Sequence, residues 1–571
     1  YMCKEAIKST LKDKTGISEE KLIQLVDFEN IEEISIPDAK KIREALDGIK
    51  VIDPACGSGA YLLGLLQEII KIHENLQTLN AEFNRSRYDL KLHIISRSIF
   101  GADIDPFATQ IAMLRLWLSL AVESEKPVQM PNLDFNIETG DALLAPDPSQ
   151  VDWFMGSLYE QADRLAVKKQ AYLSAKTDID ALRREIKTEE AEIKSKLRKN
   201  KDDSFSVDFR IHFASVFSKN GGFDLVLANP PYVRQEEIKP ASFKQRLFEN
   251  YKPGNIQPVS KKSDLYCYFY LRGFQLLRPG GLQIFICSNT WLDVGFGVPL
   301  QHYIGKNFRI RKILDSAVER QFSSADVNTI ISFMSKSKST EDNYISFVSL
   351  QASFESSIGN SGMQKQINIT QKKLLEQGIE NGKYVGSKWS NYLRAPDIYW
   401  KIVSNYSNSF TKLKDVANVS RGITSGCDEF FYLKKDDIDK WQIEQNYLRK
   451  LMKSSAESKN TIPRGEELSL WVFYCNDSRG RLGGTNALKY IQWGETQGFH
   501  ERSTFNSKPR WYSIKSRTSP DLILPKSINQ IYRVFKNQLQ VIVHQRLYEC
   551  NLKDDYSEDL MHSLLNSTIV S

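Results

Sequence analysis

The chain has 571 residues, 41% of them hydrophobic, with 29 Phe, 24 Tyr and 9 Trp. That much apolar volume excludes a disordered chain, and the length implies about two to four domains. Lys+Arg exceeds Asp+Glu by 77 to 70, a net charge of +7, too small at this length to mark a nucleic-acid binder by charge alone.

In chain order, Tyr1 to Leu11 reads as helix, and a chain opening on Tyr inside a helix reads as a truncated or processed start to an N-terminal helical segment, 1–44. Lys50-Val51-Ile52-Asp53 predicts a strand ending in an acid, and Tyr61 to Ile72 a helix. Ser98 to Ile104 predicts a second strand and Pro106 to Val122 a second helix. Residues 155–201 are dense in charge, with Leu158, Leu165, Tyr172, Ile179, Ile186 and Ile193 recurring every seventh position. That pattern predicts a helical insertion laying one stripe on the body. Phe223 to Ala228 is a further strand, Leu265 to Leu277 a helix, Gly281 to Cys287 a strand, and Tyr344 to Leu350 the last strand. Alternating strands and helices predict an α/β, doubly wound, Rossmann-like sheet over 45–350, whose function gathers at the carboxyl ends of the strands. Residues 351–410 read as a connector. Beyond them, 411–571 reads as a mainly β (α+β) domain, because six of the nine Trp lie beyond residue 380 and the apolar runs are short.

Seven cysteines stand at 3, 56, 267, 287, 427, 475 and 550, none in a C-x-x-C pair. Neither a disulfide framework nor a metal site is legible, and a reducing cytoplasm is expected. No signal peptide and no apolar run long enough to span a bilayer is seen, so no membrane partner is expected.

Two segments carry chemistry. Asp53-Pro54-Ala55-Cys56-Gly57-Ser58-Gly59 follows a strand and opens a helix. Gly57 and Gly59 allow a sharp turn and close approach to a ligand at free helix N–H groups. Leu62 stands where the third glycine of G-x-G-x-x-G belongs, which disfavours a nicotinamide dinucleotide, and no Walker-A Lys follows. An acid beside a glycine turn suits a cationic ligand. Asp103, ending the second strand, suits ribose hydroxyls. Ile104 suits an adenine face, and Asp141 an adenine amino group. The second segment is Asn229-Pro230-Pro231-Tyr232, directly after the strand Phe223–Ala228. An exocyclic amino nitrogen is a poor nucleophile because its lone pair is delocalised into the ring. The Asn229 amide oxygen and the Pro230 carbonyl are two acceptors able to localise that lone pair. Pro230 and Pro231 stiffen the backbone, and Tyr232 offers a face for a flipped base.

Together these residues resemble the gamma class of N6-adenine DNA methyltransferases, and most closely the methyltransferase and target-recognition parts of fused Type IIG restriction-modification enzymes. The resemblance runs over most of 45–335 and includes Ser263-Asp264-Leu265-Tyr266 and Leu277-Arg278-Pro279-Gly280-Gly281. It implies S-adenosylmethionine as cofactor, held by Asp53, Ala55, Cys56, Gly57, Gly59, Asp103, Ile104, Asp141 and Ala142. It also implies a catalytic set of Asn229, Pro230, Pro231 and Tyr232, with Phe322 as a second aromatic around the flipped adenine. Leu413 to Val416 with Ser420-Arg421-Gly422 resembles the entry to the family's target-recognition domain. Lys508, Arg510, Lys515 and Arg517 interleave with Trp511 and Tyr512, as a double-stranded DNA surface requires. The family's aromatic-Thr-Pro motif and a nuclease motif are not found, so cleavage would lie elsewhere on a longer polypeptide. Two other readings stay open: methylation of a protein glutamine or RNA guanine amino group, and a non-catalytic DNA specificity module.

Overall fold

A computed structural model describes residues 1–124, 135–148, 156–175, 177–197, 206–252, 257–318, 328–338, 340, 342–357, 361–406, 409–506, 508–514, 517–527 and 532–567. Contacts divide the chain into two units, Tyr1–Asp397 and Ile398–Ser571.

The first unit is built on a nine-stranded sheet. Its strands are β1 (Val51–Asp53), β2 (Ile99–Asp103), β3 (Ile137–Thr139), β4 (Phe223–Ala228), β5 (Leu277–Ser288), β6 (Arg309–Ser316), β7 (Thr329–Ser335), β8 (Tyr344–Leu350) and β9 (Gln364–Thr370), in the spatial order β3-β2-β1-β4-β5-β7-β6-β8-β9. From β3 to β5 every neighbour is parallel. These strands are buried on both faces, so Val51-Ile52 and Leu225 to Ala228 read as continuous apolar runs instead of alternating ones. Beyond β5 the sheet is mixed: β5-β7, β7-β6 and β8-β9 are antiparallel and β6-β8 is parallel. The expected connector 351–410 thus contributes the edge strand β9 and the short helix Asn391–Arg394 to the first unit.

Helices α1 (Met2–Thr15), α2 (Glu19–Asp27), α3 (Ile36–Asp47), α4 (Ala60–Gln77), α5 (Arg87–Ser98) and α6 (Pro106–Ala121) flank the parallel half. Ser18 and Ser35 cap α2 and α3 by accepting from the N–H of Lys21 and Asp38, and Asp105 caps α6 by accepting from Phe107. Ile7 and Leu11 of α1, Leu22 and Leu25 of α2, Ile42 of α3 and Leu65 and Ile69 of α4 share one core with Leu225, Leu227 and Ile284 of the sheet. Asp224 locks this core at the start of β4. Its buried carboxylate meets Lys14 Nζ at 2.9 Å and Arg278 Nε at 2.6 Å, and accepts from Lys50 N at 2.8 Å.

The seven-residue recurrence falls on two helices, α7 (Gly156–Ser174) and α8 (Ile179–Leu197), with Asp178 at φ 55° just before the second. Leu165, Tyr172, Ile186 and Ile193 close a small core with Phe135 and Ile211 of the body, so the recurrence marks one seam shared by paired helices. Lys169 crosses it, ion-paired with Glu190 and donating to the His212 carbonyl at 2.7 Å.

The second unit holds two four-stranded sheets. One runs Ala417–Arg421, Leu547–Leu552, Leu522–Pro525, Phe535–Lys536. The other runs Tyr432–Leu433, Leu470–Phe473, Leu448–Met452, Ile542–Val543. Its core is aromatic. Phe430 stacks on Tyr490 at 4.8 Å and touches Trp511 at 4.5 Å between ring centroids.

Candidate functional site

The functional side chains sit where the strand order reverses, between β1 and β4. These two strands pair in parallel, Ile52 beside Val226, so both chains leave the sheet at the same edge. Asp53 ends β1 and is buried. Its Oδ1 accepts from Ala55 N at 2.9 Å. Burial pushes its carboxyl up to about 8, opposed by the Ala55 N–H and reinforced by Asp103. A cationic ligand group would return Asp53 to its ionised form.

The loop after Asp53 is shaped by its neighbours. Cys56 N donates to Ala102 O at 3.0 Å, and Gly57 N to Asp103 Oδ2 at 2.8 Å. Gly57 stands at φ 51°, with nothing within 4 Å of where a Cβ would be, so this face of the loop is open to a ligand. Gly59 stands at φ 82°, and a Cβ there would lie 3.0 Å from Ala112 Cβ, so α4 begins hard against α6. The Cys56 thiol faces inward, filling the place where a Gly101 Cβ would be, and burial raises its pKa. Of Cys56, only the backbone shapes the open side.

Asp103 ends β2. Its Oδ1 accepts from Asp105 N at 3.0 Å. Just past it, Ile104 is 60% and Phe107 68% exposed, an apolar pair beside an acid. Asp141 follows β3, and its Oδ1 is taken by the N–H groups of Leu143 and Leu144, at 2.7 and 3.1 Å. The turn beyond it is held by Arg272, a fully buried guanidinium that donates to Leu143 O at 3.1 Å and Pro146 O at 3.0 Å. Tyr251 Oη adds a bond to Leu143 O at 3.0 Å. Sequence reasoning missed both side chains. The legible signal was a lone Arg inside the apolar helix Leu265–Leu276.

Asn229 leaves β4 half-buried, and its Oδ1 accepts from Tyr232 Oη at 2.7 Å. The same hydroxyl lies 3.4 Å from Ile286 O. Burial raises the Tyr232 pKa, so it stays a donor. Pro230 is buried and Pro231 exposed. The segment is pinned downstream at the start of the helix Leu265–Leu276. Gln235 N donates to Asp264 Oδ1 at 2.8 Å, and Leu265 N to Val233 O at 3.0 Å.

A buried carboxylate, a glycine turn with an open face, an acid followed by exposed apolar side chains, and an amide oxygen at the next strand end fit a cationic nucleoside ligand next to a hydrogen-bonding substrate. The family model for the Eco57I restriction-modification methylase matches residues 97–322, and the model for the C-terminal domain of the Type II methyltransferase M.Eco57I matches 386–570. Residues 97–322 belong to the Eco57I restriction-modification methylase family, and 386–570 match that enzyme type's C-terminal domain.

Among similar proteins, the Type II restriction enzyme and methyltransferase RM.Eco57I of Escherichia coli is 21% identical over 402 residues, covering 68% of this chain and 33% of the relative. The Type II methyltransferase M.BstVI of Geobacillus stearothermophilus is 23% identical, covering 61% and 62%. The chain therefore spans a third to about two thirds of these relatives' lengths. The fold is also that of the Type IIL restriction-modification enzyme MmeI, solved in complex with DNA, with TM-score 0.56, 16% identity, and coverage of 96% of this chain and 63% of that one.

The expected DNA residues in the second unit are partly engaged within it. Trp511 packs on Phe430, and its Nε1 donates to Glu495 at 2.9 Å. Arg510 bonds the Asn476 carbonyl, and Lys508 lies 5.0 Å over the Phe505 ring. Arg517 pairs with the buried Glu549 at 2.9 Å and donates to Arg421 O at 2.7 Å. Arg421 is exposed. Phe322 and Lys515 lie outside the described residues. Among the described residues, no helix is long and apolar enough to cross a membrane.

Proposed function

We propose that the chain transfers a methyl group from S-adenosylmethionine to the exocyclic N6 of an adenine turned out of duplex DNA. The observation that carries this reading is the adjacency of Asp53 and Asn229 at the same edge of the paired strands β1 and β4. When bound, S-adenosylmethionine supplies an electrophilic methyl group on a sulfonium. In this reading Asp53 and the Ala55–Gly59 loop hold its charged end, Asp103 its ribose, and Ile104, Asp141 and Ala142 its adenine.

Asn229 Oδ1 would take an N–H of the target amino group, drawing the nitrogen lone pair out of the ring and aiming it. The same acceptor takes a hydrogen bond from the Tyr232 hydroxyl at 2.7 Å. Asn229 Oδ1 has a second lone pair for the amino group, and the Tyr232 hydroxyl also has the Ile286 carbonyl in reach. The half-buried Tyr232 ring offers the entering base a face on which to stack.

The second unit would select the site on double-stranded DNA, with Arg421, Lys508, Arg510, Trp511, Lys515 and Arg517 as the sequence-derived candidates. RM.Eco57I couples restriction and methylation in one name, and this chain covers only part of that length. We infer that a nuclease belongs to a longer polypeptide working on cytoplasmic DNA.

The test is methyl transfer from radiolabelled S-adenosylmethionine to unmodified plasmid DNA, followed by nucleoside analysis. Label in N6-methyladenine supports the assignment of donor, substrate and atom together. Label in another base, or in protein or RNA only, overturns it.

A further inference from the structure

Three lysines and arginines of the second unit meet in a concavity that none of the sequence motifs marks as a whole. It measures about 630 Å³ and is lined by Arg421, Ser454, Ser455, Lys526, Gln545 and Arg546, together with Ser527 and Leu547. No acid lines it. Its walls come from separate strands brought together by close backbone crossing. Gly422 N donates to Leu547 O at 3.1 Å, Gln545 N to Ile423 O at 2.9 Å, and a Cβ on Gly422 would lie 2.4 Å from the Val543 and His544 carbonyls. Pro525 pairs with Leu547 in the antiparallel ladder, so Lys526 and Arg546 leave their strands at the same place. Like charges placed so close repel one another. Both side chains are exposed, and among the described residues neither meets a carboxylate.

The charged and amide groups have one sense, while the serine hydroxyls can donate as well as accept. Gln545 Oε1 is used up, accepting from Arg421 Nη2 at 2.9 Å and Thr424 Oγ1 at 3.1 Å, which leaves its amide N–H₂ to donate. Arg421, Arg546 and Lys526 can only donate. A concavity of unopposed positive charge that offers donors wants acceptor oxygens or nitrogens. Of the acceptors on duplex DNA, the backbone phosphate and the paired O6/N7 edge of guanine suit Arg and Lys best.

We propose that this concavity is a DNA-recognition pocket of the second unit, with Arg546 and Lys526 as its contacts and Gln545 holding Arg421 in place. The proposal rests on the function proposed above. The test uses the full chain with Arg546→Ala, Arg546→Lys and Lys526→Ala. Binding to a 30-base-pair duplex is measured across salt concentration, and methylated positions are mapped by sequencing treated genomic DNA. A phosphate contact predicts an affinity loss on every sequence, a log–log salt slope smaller by about 0.9 per contact removed, and rescue by Arg546→Lys. A guanine contact predicts that one G·C position of the methylated motif degenerates, with about 10- to 100-fold lost discrimination and no rescue by Lys. Either result supports the pocket. Folded variants with unchanged salt slope and unchanged motif overturn it. A parent chain that neither binds nor methylates DNA overturns the functional reading instead, and the pocket with it.

Discussion

Asp53→Asn separates what the buried acid does for stability from what it does for ligand binding. The amide keeps the acceptor for Ala55 N and the shape of the side chain. An aspartate ordinarily titrates near 3.8, and in the folded chain burial holds Asp53 up at about 8. The folded state therefore binds the proton more tightly than the unfolded chain. This group's contribution to stability is intact below pH 3.8 and is lost as pH rises toward 8. The loss is about 1.4 kcal/mol per pH unit in that window, which comes to roughly 4 kcal/mol at pH 7. Asp53→Asn carries no such group. Its stability advantage over the parent should be near zero at pH 4 and widen to roughly 4 kcal/mol at pH 7. Denaturant unfolding of both proteins across pH 4 to 8 gives the difference directly, and groups common to both cancel. Isothermal titration with S-adenosylmethionine on the same pair should show the reverse order. The parent binds more tightly, by roughly 10- to 100-fold, because the ionised acid pairs with the cation. Its advantage should grow as pH rises toward 8. A stability difference that does not vary with pH, or a variant that binds as tightly as its parent, refutes the reasoning.

Three further outcomes follow from the geometry. Asn229→Ala removes the acceptor proposed for the reacting nitrogen and should lower kcat by about 10²–10³ while cofactor affinity stays as in the parent, read by single-turnover methylation and titration. Asp264→Ala releases Gln235 N and with it the segment leading away from Tyr232. Turnover should fall about tenfold with little change in cofactor affinity, and Asp264→Asn, which keeps the acceptor, should recover most of it. Gly59→Val forces a branched side chain into a left-handed backbone at a place where even a Cβ is 3.0 Å from Ala112. It should cost roughly 2–4 kcal/mol, seen as a lowered unfolding midpoint.

Much of the site was legible because its parts are local. A strand, an acid and a glycine turn are written in seven consecutive residues, and Asn229-Pro230-Pro231-Tyr232 in four. The strand Tyr344–Leu350 and the helix beginning at Leu265 were readable for the same reason, since an apolar run or period is a property of neighbours in the chain. The edge strand β9 was not. Gln364 to Thr370 is polar but for two Ile and mostly half-buried, and only pairing with β8 makes it a strand. The seven-residue recurrence was legible, but its division between two helices depends on a turn at Asp178 that the spacing does not show.

What the sequence determined by itself was the order of chemical parts along a parallel sheet, because strand ends, glycine turns and proline pairs act through the backbone of their own segment. The tertiary structure decided which side chains those parts meet. It set Arg272 and Tyr251 behind the Asp141 turn, Tyr232 on Asn229, and Asp264 under Gln235. It turned Trp511 into the core of the second unit and drew Arg421, Lys526 and Arg546 to one concavity. The physical reason is that charge, burial and hydrogen bonding act over a few ångströms in space. Residues of separate segments, such as Arg272 and Leu143, meet at that distance only once the chain has folded.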